Sequence, residues 1–483
     1  MRKEKVLVIG LDGGTWDLVL PWIQGGILPN LKSLKEKGTW GELETTYPPA
    51  TFPAWRCYST GMNPGRFGVY GWIGVDFKQR RVTLQRTSGH NVKEIWDLLG
   101  DEGITVAAVN MPGTYPPKRV NGYLVSGPPT SSECGYTHPP WLEEELFDRF
   151  GYRVYPHTTV RHNPVEGLRE IQELTSKRFK VASYLLKQVD FLHLTIFYLD
   201  HIQHYFWKNM RENDPNYGNY VRQMWTQIDR EIGKLSKEAG PHASIILMSD
   251  HGFGPLNRAF FINEWLRQSG YLQTRRDWTD LLGMIGLTRS RLEFLAEKSG
   301  IKPLVQRKAS RDRLFKFVMR LPDAGSDIEG RINWEKTLAV AVGQGPLYLG
   351  PNGRARKAEL SNLLLRMRDP ETDARIVKKI HRKEEIYEGA YLDEAPDLVV
   401  ETEEGYETDS RLTHGRILGD HAEGWNGTHR REGMILLHGP RFKRDYKLHG
   451  ARIYDVAPTI LHLFDLPVSD EMDGSVLTDA MRE

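Results

Sequence analysis

The sequence contains only two cysteines among its 483 residues, Cys57 and Cys134. They show no metal-binding spacing, and two cysteines cannot build the disulfide framework of a small secreted protein. The chain also lacks any uninterrupted apolar stretch close to the roughly 20 residues that a membrane-spanning helix needs. We therefore expect a soluble protein of a reducing compartment, the cytoplasm.

The sequence has little net charge, since 65 basic and 63 acidic residues leave a formal value of +2. This balance argues against nucleic acid as the main partner, because no strong positive field is available to attract it. Internal repeats and low-complexity tracts are lacking too. A hydrophobic content of 39% is ample for a large globular core, and the composition leaves the oligomeric state open.

The first residues, "MRKEKVLVIGLDGG", superficially resemble a signal peptide, with basic residues ahead of an apolar run. However, the apolar run covers only Val6 to Leu11 and ends at Asp12 with no small-residue cleavage site behind it. We interpret this run as a buried strand.

Three apolar runs of the sequence end in an aspartate. "KVLVIGLD" ends at Asp12, "FLHLTIFYLD" at Asp200 and "ASIILMSD" at Asp250. Helical patterns such as "NVKEIWDLLGDEG" lie between the apolar runs. This alternation predicts an α/β fold with a doubly wound, mostly parallel central sheet flanked by helices.

The aspartates at these strand ends suggest a metal site, because ligands bind outside the carboxyl ends of parallel strands and crowded carboxylates need a cation. Histidines accompany them: His204 follows Asp200 by four residues, His251 follows Asp250 directly, and His429 precedes another apolar strand. Imidazole and carboxylate ligands suit zinc, manganese or iron. Each residue alone would more often be a cap, loop or core residue, so the prediction depends on the whole set.

Thr51 stands in an unusual context, "PPATFPAW", ahead of a predicted helix. Prolines before it favour extended backbone, and Pro53 suits the first helical turn. We therefore expect Thr51 at the N-cap position. Its hydroxyl would then either cap the helix, worth about 1 kcal/mol, or act in a site where the helix N-terminus receives phosphate.

These segments together resemble the alkaline phosphatase superfamily, and specifically its type I phosphodiesterase/nucleotide pyrophosphatase branch. The resemblance extends over nearly the whole chain through "VIGLDGG", "TFPAW", "TGMNPGRFGVYGW", "YLDHIQH", "SDHGFGP", "GTHRREG" and "DVAPTILHLFDLPVSDEMDG". It implies an alkaline-phosphatase-like fold and two divalent metal ions, with zinc expected and manganese or iron as alternatives. The implied ligands are Asp200, His204 and His429 for the first ion, and Asp12, Asp250 and His251 beside the Thr51 oxygen for the second.

The resemblance implies hydrolysis of a small-molecule phosphate ester, as a phosphodiesterase or nucleotide pyrophosphatase. Thr51 would be the nucleophile, because metal coordination favours the alkoxide of a hydroxyl, and a covalent phospho-threonine intermediate would form. Alternatives are a phosphomonoesterase or phosphotransferase of the same superfamily, and a noncatalytic metal- or anion-binding protein.

The sequence departs from the nucleotide pyrophosphatase pattern at one position. Where those enzymes carry an asparagine that binds a nonbridging phosphate oxygen, counting from Thr51 reaches Trp72. Asn110 is a candidate substitute, although a turn role suits its place after a strand. Nucleotide specificity is therefore not implied, and the substrate stays open among nucleotide, lipid and sugar esters.

We expect one catalytic domain, residues 1–264 and 346–483, interrupted by a largely helical inserted cap, residues 265–345. The segments "INWEKTLAVAVGQGPLYLGPNGR", residues 332–354, and "EAPDLVVE", residues 394–401, predict a return to the sheet after the insert. Within the cap, residues 298–321 combine eight basic residues with an apolar stripe at helical spacing. Such a helix could contact anionic membrane weakly, or simply pack its apolar side on its own protein.

Overall fold

The chain forms an α/β fold, and the computed structural model describes residues 4–85, 92–130, 134–275, 328–413, 415–421 and 423–482. The strands are β1 (Val6–Leu11), β2 (Thr39–Glu44), β3 (Ile73–Asp76), β4 (Arg81–Leu84), β5 (Val106–Met111), β6 (Gly122–Ser126), β7 (Thr137–His138), β8 (Phe191–Ile196), β9 (Ser244–Met248), β10 (Gly252–Phe261), β11 (Ala339–Ala341), β12 (Pro346–Leu349), β13 (Val377–Arg382), β14 (Leu398–Thr402), β15 (Gly405–Asp409), β16 (Leu418–Gly419), β17 (Gly427–Arg430), β18 (Glu432–His438) and β19 (Tyr446–Arg452). The α-helices are α1 (Trp16–Gln24), α2 (Pro29–Glu36), α3 (Thr51–Thr60), α4 (Pro64–Phe67), α5 (Ile95–Asp101), α6 (Leu142–Phe150), α7 (Pro164–Leu186), α8 (Tyr198–Arg211), α9 (Tyr220–Ala239), α10 (Ile262–Gln268), α11 (Ile328–Arg331), α12 (Pro351–Arg354), α13 (Lys357–Leu365), α14 (Lys383–Ile386) and α15 (Val456–Leu463).

The central sheet has nine strands in the order β19-β2-β18-β9-β1-β8-β5-β6-β7. The run β9-β1-β8-β5-β6 is parallel throughout, whereas β18 and β7 pair antiparallel with their neighbours. The prediction of a mostly parallel, doubly wound sheet is confirmed.

The burial of β1 explains why its sequence is continuously apolar. All six of its residues are buried. Leu7 and Ile9 join a cluster with α7 and α9, while Val6 and Val8 join the opposite cluster with α3 and α15. Because side chains of a strand alternate between faces, helices on both sides require apolar residues at every position.

The strand order places the three predicted aspartates at one edge. β1 lies between β8 and β9, and Gly10 is in register with both Thr195 and Met248. The segments that leave these three parallel strands therefore emerge side by side. Asp12, Asp200 and Asp250 all belong to those segments.

Residues 332–354 and 394–401, which we expected to return to the central sheet, do not join it, whereas β18 and β19 do. Strands β11, β12, β14 and β13 form a separate antiparallel sheet in that order. Alternating apolar residues specify a strand but not its partner, and only β11 and β12 are joined by a short turn that favours local antiparallel pairing. The first residues of β10 pair with β17, the strand that carries His429. The later residues of β10 pair with β15.

The described part of the predicted cap, residues 265–345, includes the end of α10, α11 and β11. Residues 276–327 lie outside the described residues, and with them the basic stretch 298–321. The cap boundaries and its membrane contact therefore stay predictions. Among the described helices, none combines the length and the apolar character needed to cross a bilayer.

Candidate metal and phosphate site

The first group of side chains consists of Asp200, His204 and His429, and their ligand atoms lie within 4.8 Å of one another. Asp200 and His204 share one face of α8 because they are four residues apart. The carboxylate of Asp200 lies 3.3 Å from His204 Nε2 and 3.1 Å from His429 Nε2. Two distant parts of the chain thus bring one carboxylate and two imidazoles together.

The second group consists of Asp12, Asp250 and His251, all buried, with ligand atoms again within 4.8 Å of one another. One oxygen of each carboxylate is held by a protein donor: Asp12 Oδ2 by the Trp55 indole at 3.2 Å and Asp250 Oδ1 by the Gly13 amide at 3.1 Å. The other oxygens, Asp12 Oδ1 and Asp250 Oδ2, have no hydrogen-bond partner among the described residues. Buried unpaired oxygens of this kind are costly unless a cation or proton meets them.

The three histidines are oriented alike. His204 Nδ1 lies 2.7 Å from the Gly427 carbonyl, His429 Nδ1 2.9 Å from the Pro49 carbonyl, and His251 Nδ1 3.0 Å from the Gly252 carbonyl. Since a carbonyl only accepts, each Nδ1 carries a proton and each Nε2 is the ring nitrogen that faces the carboxylates. This is the orientation that metal-binding imidazoles usually have.

Thr51 is the first helical residue of α3, and the N-cap is Ala50, so the N-cap prediction is wrong by one position. Pro53 falls at the third helical position. A backbone N–H there would have no partner within the helix, so the proline breaks no helical hydrogen bond. The Thr51 hydroxyl makes no capping bond and lies 3.3 Å from His251 Nε2. The structure therefore brings Thr51 next to the second group.

The two groups adjoin each other. The rings of His251 and His429, one from each group, stack with centroids 3.7 Å apart. All seven residues predicted from the sequence, Asp12, Thr51, Asp200, His204, Asp250, His251 and His429, thus lie in one continuous cluster. The donor set is one that fits two cations of the zinc, manganese or iron type.

The pKa values of the three carboxylates show the cost of burying their charges, which a bound cation would lower. Burial, with the nearby carboxylates of Asp250 and Asp200, raises the pKa of Asp12 well above its ordinary value. Burial likewise raises the pKa of Asp250 from 3.8 to about 7, although the Gly13 amide acts against it. Burial would also raise the pKa of Asp200, but His204 and His429 outweigh it and hold that pKa well below its usual range.

The metal-free protein is expected to lose stability as pH rises from about 4 to 7. In this window the unfolded chain has released the Asp250 proton while the folded chain keeps it, so the folded state is favoured at the acidic end. A pKa change from 3.8 to about 7 corresponds to at most about 4 kcal/mol of unfolding free energy. Denaturant unfolding in chelator at pH 5 and pH 8 measures it. Comparison with Asp250→Asn isolates this carboxyl, and an identical pH dependence in both proteins would contradict the prediction.

Comparison with known proteins agrees with this geometry. The profile of the family described as type I phosphodiesterase / nucleotide pyrophosphatase matches residues 6–429. The chain belongs to this family. Membership places it among the phosphoester hydrolases, for which dependence on divalent metal is typical. The resemblance to the type I phosphodiesterase/nucleotide pyrophosphatase family is confirmed.

Solved structures share the fold at low sequence identity. Murine ectonucleotide pyrophosphatase/phosphodiesterase 5, an inactive threonine-to-alanine variant in complex with AMP, has a TM-score of 0.56 and 13% identity over 99% of this chain and 100% of that chain. The human protein has a TM-score of 0.54 at 13% identity, with the same coverage. Phosphonoacetate hydrolase from Sinorhizobium meliloti 1021, in complex with phosphonoformate, has a TM-score of 0.58 at 13% identity over 96% of this chain and 95% of that chain. No curated protein matches the sequence.

Trp72 is the residue that the count from Thr51 reached in place of an asparagine. Trp72 stacks on Phe52, the residue after Thr51, with centroids 4.6 Å apart and planes 10° apart. Asn110 adopts a left-handed backbone with φ of 60° and donates its amide to the Thr195 carbonyl at 2.8 Å. These contacts give Asn110 the turn role rather than that of a phosphate donor.

Sequence reasoning missed Trp55, which fixes the Asp12 carboxylate. Its ring lies over Gly10, where an added Cβ would come within 2.3 Å of the indole. The available signal was spacing, because Trp55 follows Thr51 by four residues and shares its face of α3. The strand glycine two residues before Asp12 was a second signal, since such a glycine often marks close approach.

Proposed function

We propose that this chain is a two-metal hydrolase of phosphate esters that uses Thr51 as its nucleophile, with phosphodiesters or nucleotide pyrophosphates as its preferred class. One observation carries the proposal: the Thr51 hydroxyl lies 3.3 Å from His251 of the second group, and His251 stacks on His429 of the first. Family membership and the inactivity of the threonine-to-alanine variant of murine ectonucleotide pyrophosphatase/phosphodiesterase 5 support it.

The proposed ligands are those that the two groups define. Asp200, His204 and His429 would hold one ion, and Asp12, Asp250, His251 and the Thr51 oxygen would hold the other. When bound, two divalent ions would favour the alkoxide of a hydroxyl and stabilise the oxygens that enter and leave phosphorus. Zinc fits this mixed set of imidazole and carboxylate donors, and manganese or iron are alternatives.

The chain's own groups account for the proposed reaction. Thr51 Oγ1 gives up its proton to water and attacks phosphorus, a Thr–O–P bond forms, and the bond to the leaving oxygen breaks, that oxygen departing as an alcohol once it takes up a proton or as a phosphate. Backbone N–H groups at the start of α3 have no partner within the helix and can receive phosphate oxygens. Water then attacks the same phosphorus from the face vacated by the leaving group, which releases phosphate or a phosphomonoester and restores the hydroxyl.

A panel of chromogenic esters tests the substrate class. We expect metal-loaded protein to hydrolyse bis-p-nitrophenyl phosphate and p-nitrophenyl phenylphosphonate with higher kcat/KM than p-nitrophenyl phosphate. Faster turnover of the monoester would instead favour a phosphomonoesterase. Absence of turnover of every phosphate ester, in protein that binds two ions, would contradict the enzymatic proposal and favour a metal- or anion-binding protein.

The proposal extends to a small-molecule substrate and a cytoplasmic location. The chain has only two cysteines, Cys57 buried and Cys134 exposed, and this low cysteine content fits a reducing compartment. Trp72 offers an aromatic surface beside Phe52 where the pattern of the nucleotide enzymes has an amide. A screen of nucleotide, lipid and sugar diesters would identify the natural substrate.

A further inference from the structure

The segment Trp425–Gly427, which we call the anchor segment, contacts the candidate ligand His204 on several sides. The indole of Trp425 stacks on the His204 imidazole, with centroids 3.8 Å apart and planes 19° apart. The same indole also stacks on His421 at 4.6 Å and 8°. Trp425 thus stacks on two imidazoles, and one of them belongs to the first group.

Asn426 fixes the helical turn that carries His204. Its backbone N–H donates to the His204 carbonyl at 2.7 Å. Its side-chain amide donates to the Tyr205 carbonyl at 2.7 Å and accepts from the Lys208 N–H at 2.9 Å. One residue therefore makes three hydrogen bonds to the same turn of α8.

Gly427 completes the anchor segment, since its carbonyl accepts the Nδ1–H of His204 at 2.7 Å. A side chain cannot be accommodated there, because a Cβ would lie 2.6 Å from the Gln203 carbonyl oxygen and 2.6 Å from the Phe253 ring. The close approach of the two backbones is what allows this hydrogen bond. Two residues further on, the same strand presents His429.

We propose that Trp425 and Asn426 are positioning residues for the first metal group. This inference rests on the proposed function. Rotation of an imidazole about its second side-chain torsion is only weakly restricted by its own covalent structure. The stacked indole and the carbonyl of Gly427 fix that rotation for His204, while Asn426 fixes the backbone beneath it. The anchor segment therefore holds His204 and His429 at the separation that one ion requires.

Metal titration of the apoprotein tests the inference without relying on activity. Cobalt is titrated into wild type and into Trp425→Ala, Trp425→Phe and Asn426→Ala, followed by calorimetry and by the visible absorption of the bound ion. We expect Trp425→Ala and Asn426→Ala to weaken the first site about 10- to 100-fold, which is typical for partners that orient a ligand. The second site should keep its wild-type affinity, and Trp425→Phe should restore most of the first.

Thermal unfolding of the metal-free variants and one matched replacement serve as controls. Trp425 is only half-buried, so its removal leaves the core intact. Trp141→Ala removes another tryptophan, 55% exposed and outside the site, and should change neither affinity. Wild-type affinity at both sites in Trp425→Ala and Asn426→Ala would overturn the inference, as would equal weakening of both sites. Wild-type protein that binds no ion would contradict the metal proposal itself and overturn this inference with it.

Discussion

Thr51→Ala is expected to lose phosphoester hydrolysis by on the order of 10⁴- to 10⁶-fold in kcat, as removal of a nucleophile does in other hydrolases. The physical reason is that the hydroxyl beside His251 supplies the oxygen that would bond to phosphorus. Alanine removes the Thr51 oxygen from the second ion but keeps the carboxylate and imidazole ligands of both groups, so both ions should still bind. Steady-state kinetics on a chromogenic diester, with calorimetric counting of bound metal, measure the two effects separately.

Two replacements make the Thr51 result specific. Thr51→Ser keeps the hydroxyl and should retain far more activity than Thr51→Ala. Thr60→Ala removes another buried hydroxyl from the same helix, one that bonds the Arg56 carbonyl at 2.7 Å. It should cost stability but little kcat per folded molecule. Near-wild-type turnover by metal-loaded Thr51→Ala would show that the nucleophile lies elsewhere.

His204→Ala and Asp250→Ala are expected to remove different ions. Each variant should bind one ion in place of two and lose at least about 10³-fold in kcat/KM, because one of the two charges that stabilise the entering and leaving oxygens is gone. His204 belongs to the first group and Asp250 to the second. Metal analysis after dialysis gives the stoichiometry, and kinetics give the loss.

A buried carboxylate outside the site provides the matched control for Asp250. Asp229 accepts the N–H groups of Asn30 and Leu31 at 3.2 and 2.7 Å and so holds the start of α2. Asp229→Asn should lower stability while the protein still binds two ions. If His204→Ala and Asp250→Ala also keep two ions with unchanged affinity, the assignment of both groups is wrong.

The sequence predicted the candidate site more completely than the fold around it. Asp12 and Asp250 follow β1 and β9 within two residues, whereas Asp200 follows β8 by four residues and lies in the first turn of α8 rather than at the strand end that the sequence predicted. The three aspartates still come together, because parallel strands end at the same edge of a sheet. The spacing of Asp200 and His204 by four residues matched a single helix face. These are short-range signals, and each one stays valid even where the structure of another part of the chain is predicted wrongly.

The features that the sequence did not predict depend on long-range packing. Thr51 is the first helical residue rather than the cap because the extended Ala50 takes the cap position, and helix ends cannot be placed to one residue by pattern. Strands β11 to β14 pair with one another rather than with strands of the central sheet. The stack of Trp425 on His204 joins residues more than two hundred positions apart, which no local spacing encodes.

Anomalous diffraction from crystals of the zinc-loaded protein tests the central claim most directly. The account predicts two peaks about 4 Å apart. One should lie among Asp200, His204 and His429, and the other among Asp12, Asp250 and His251 within bonding distance of Thr51 Oγ1. A single peak, or peaks bound by other residues, would contradict it.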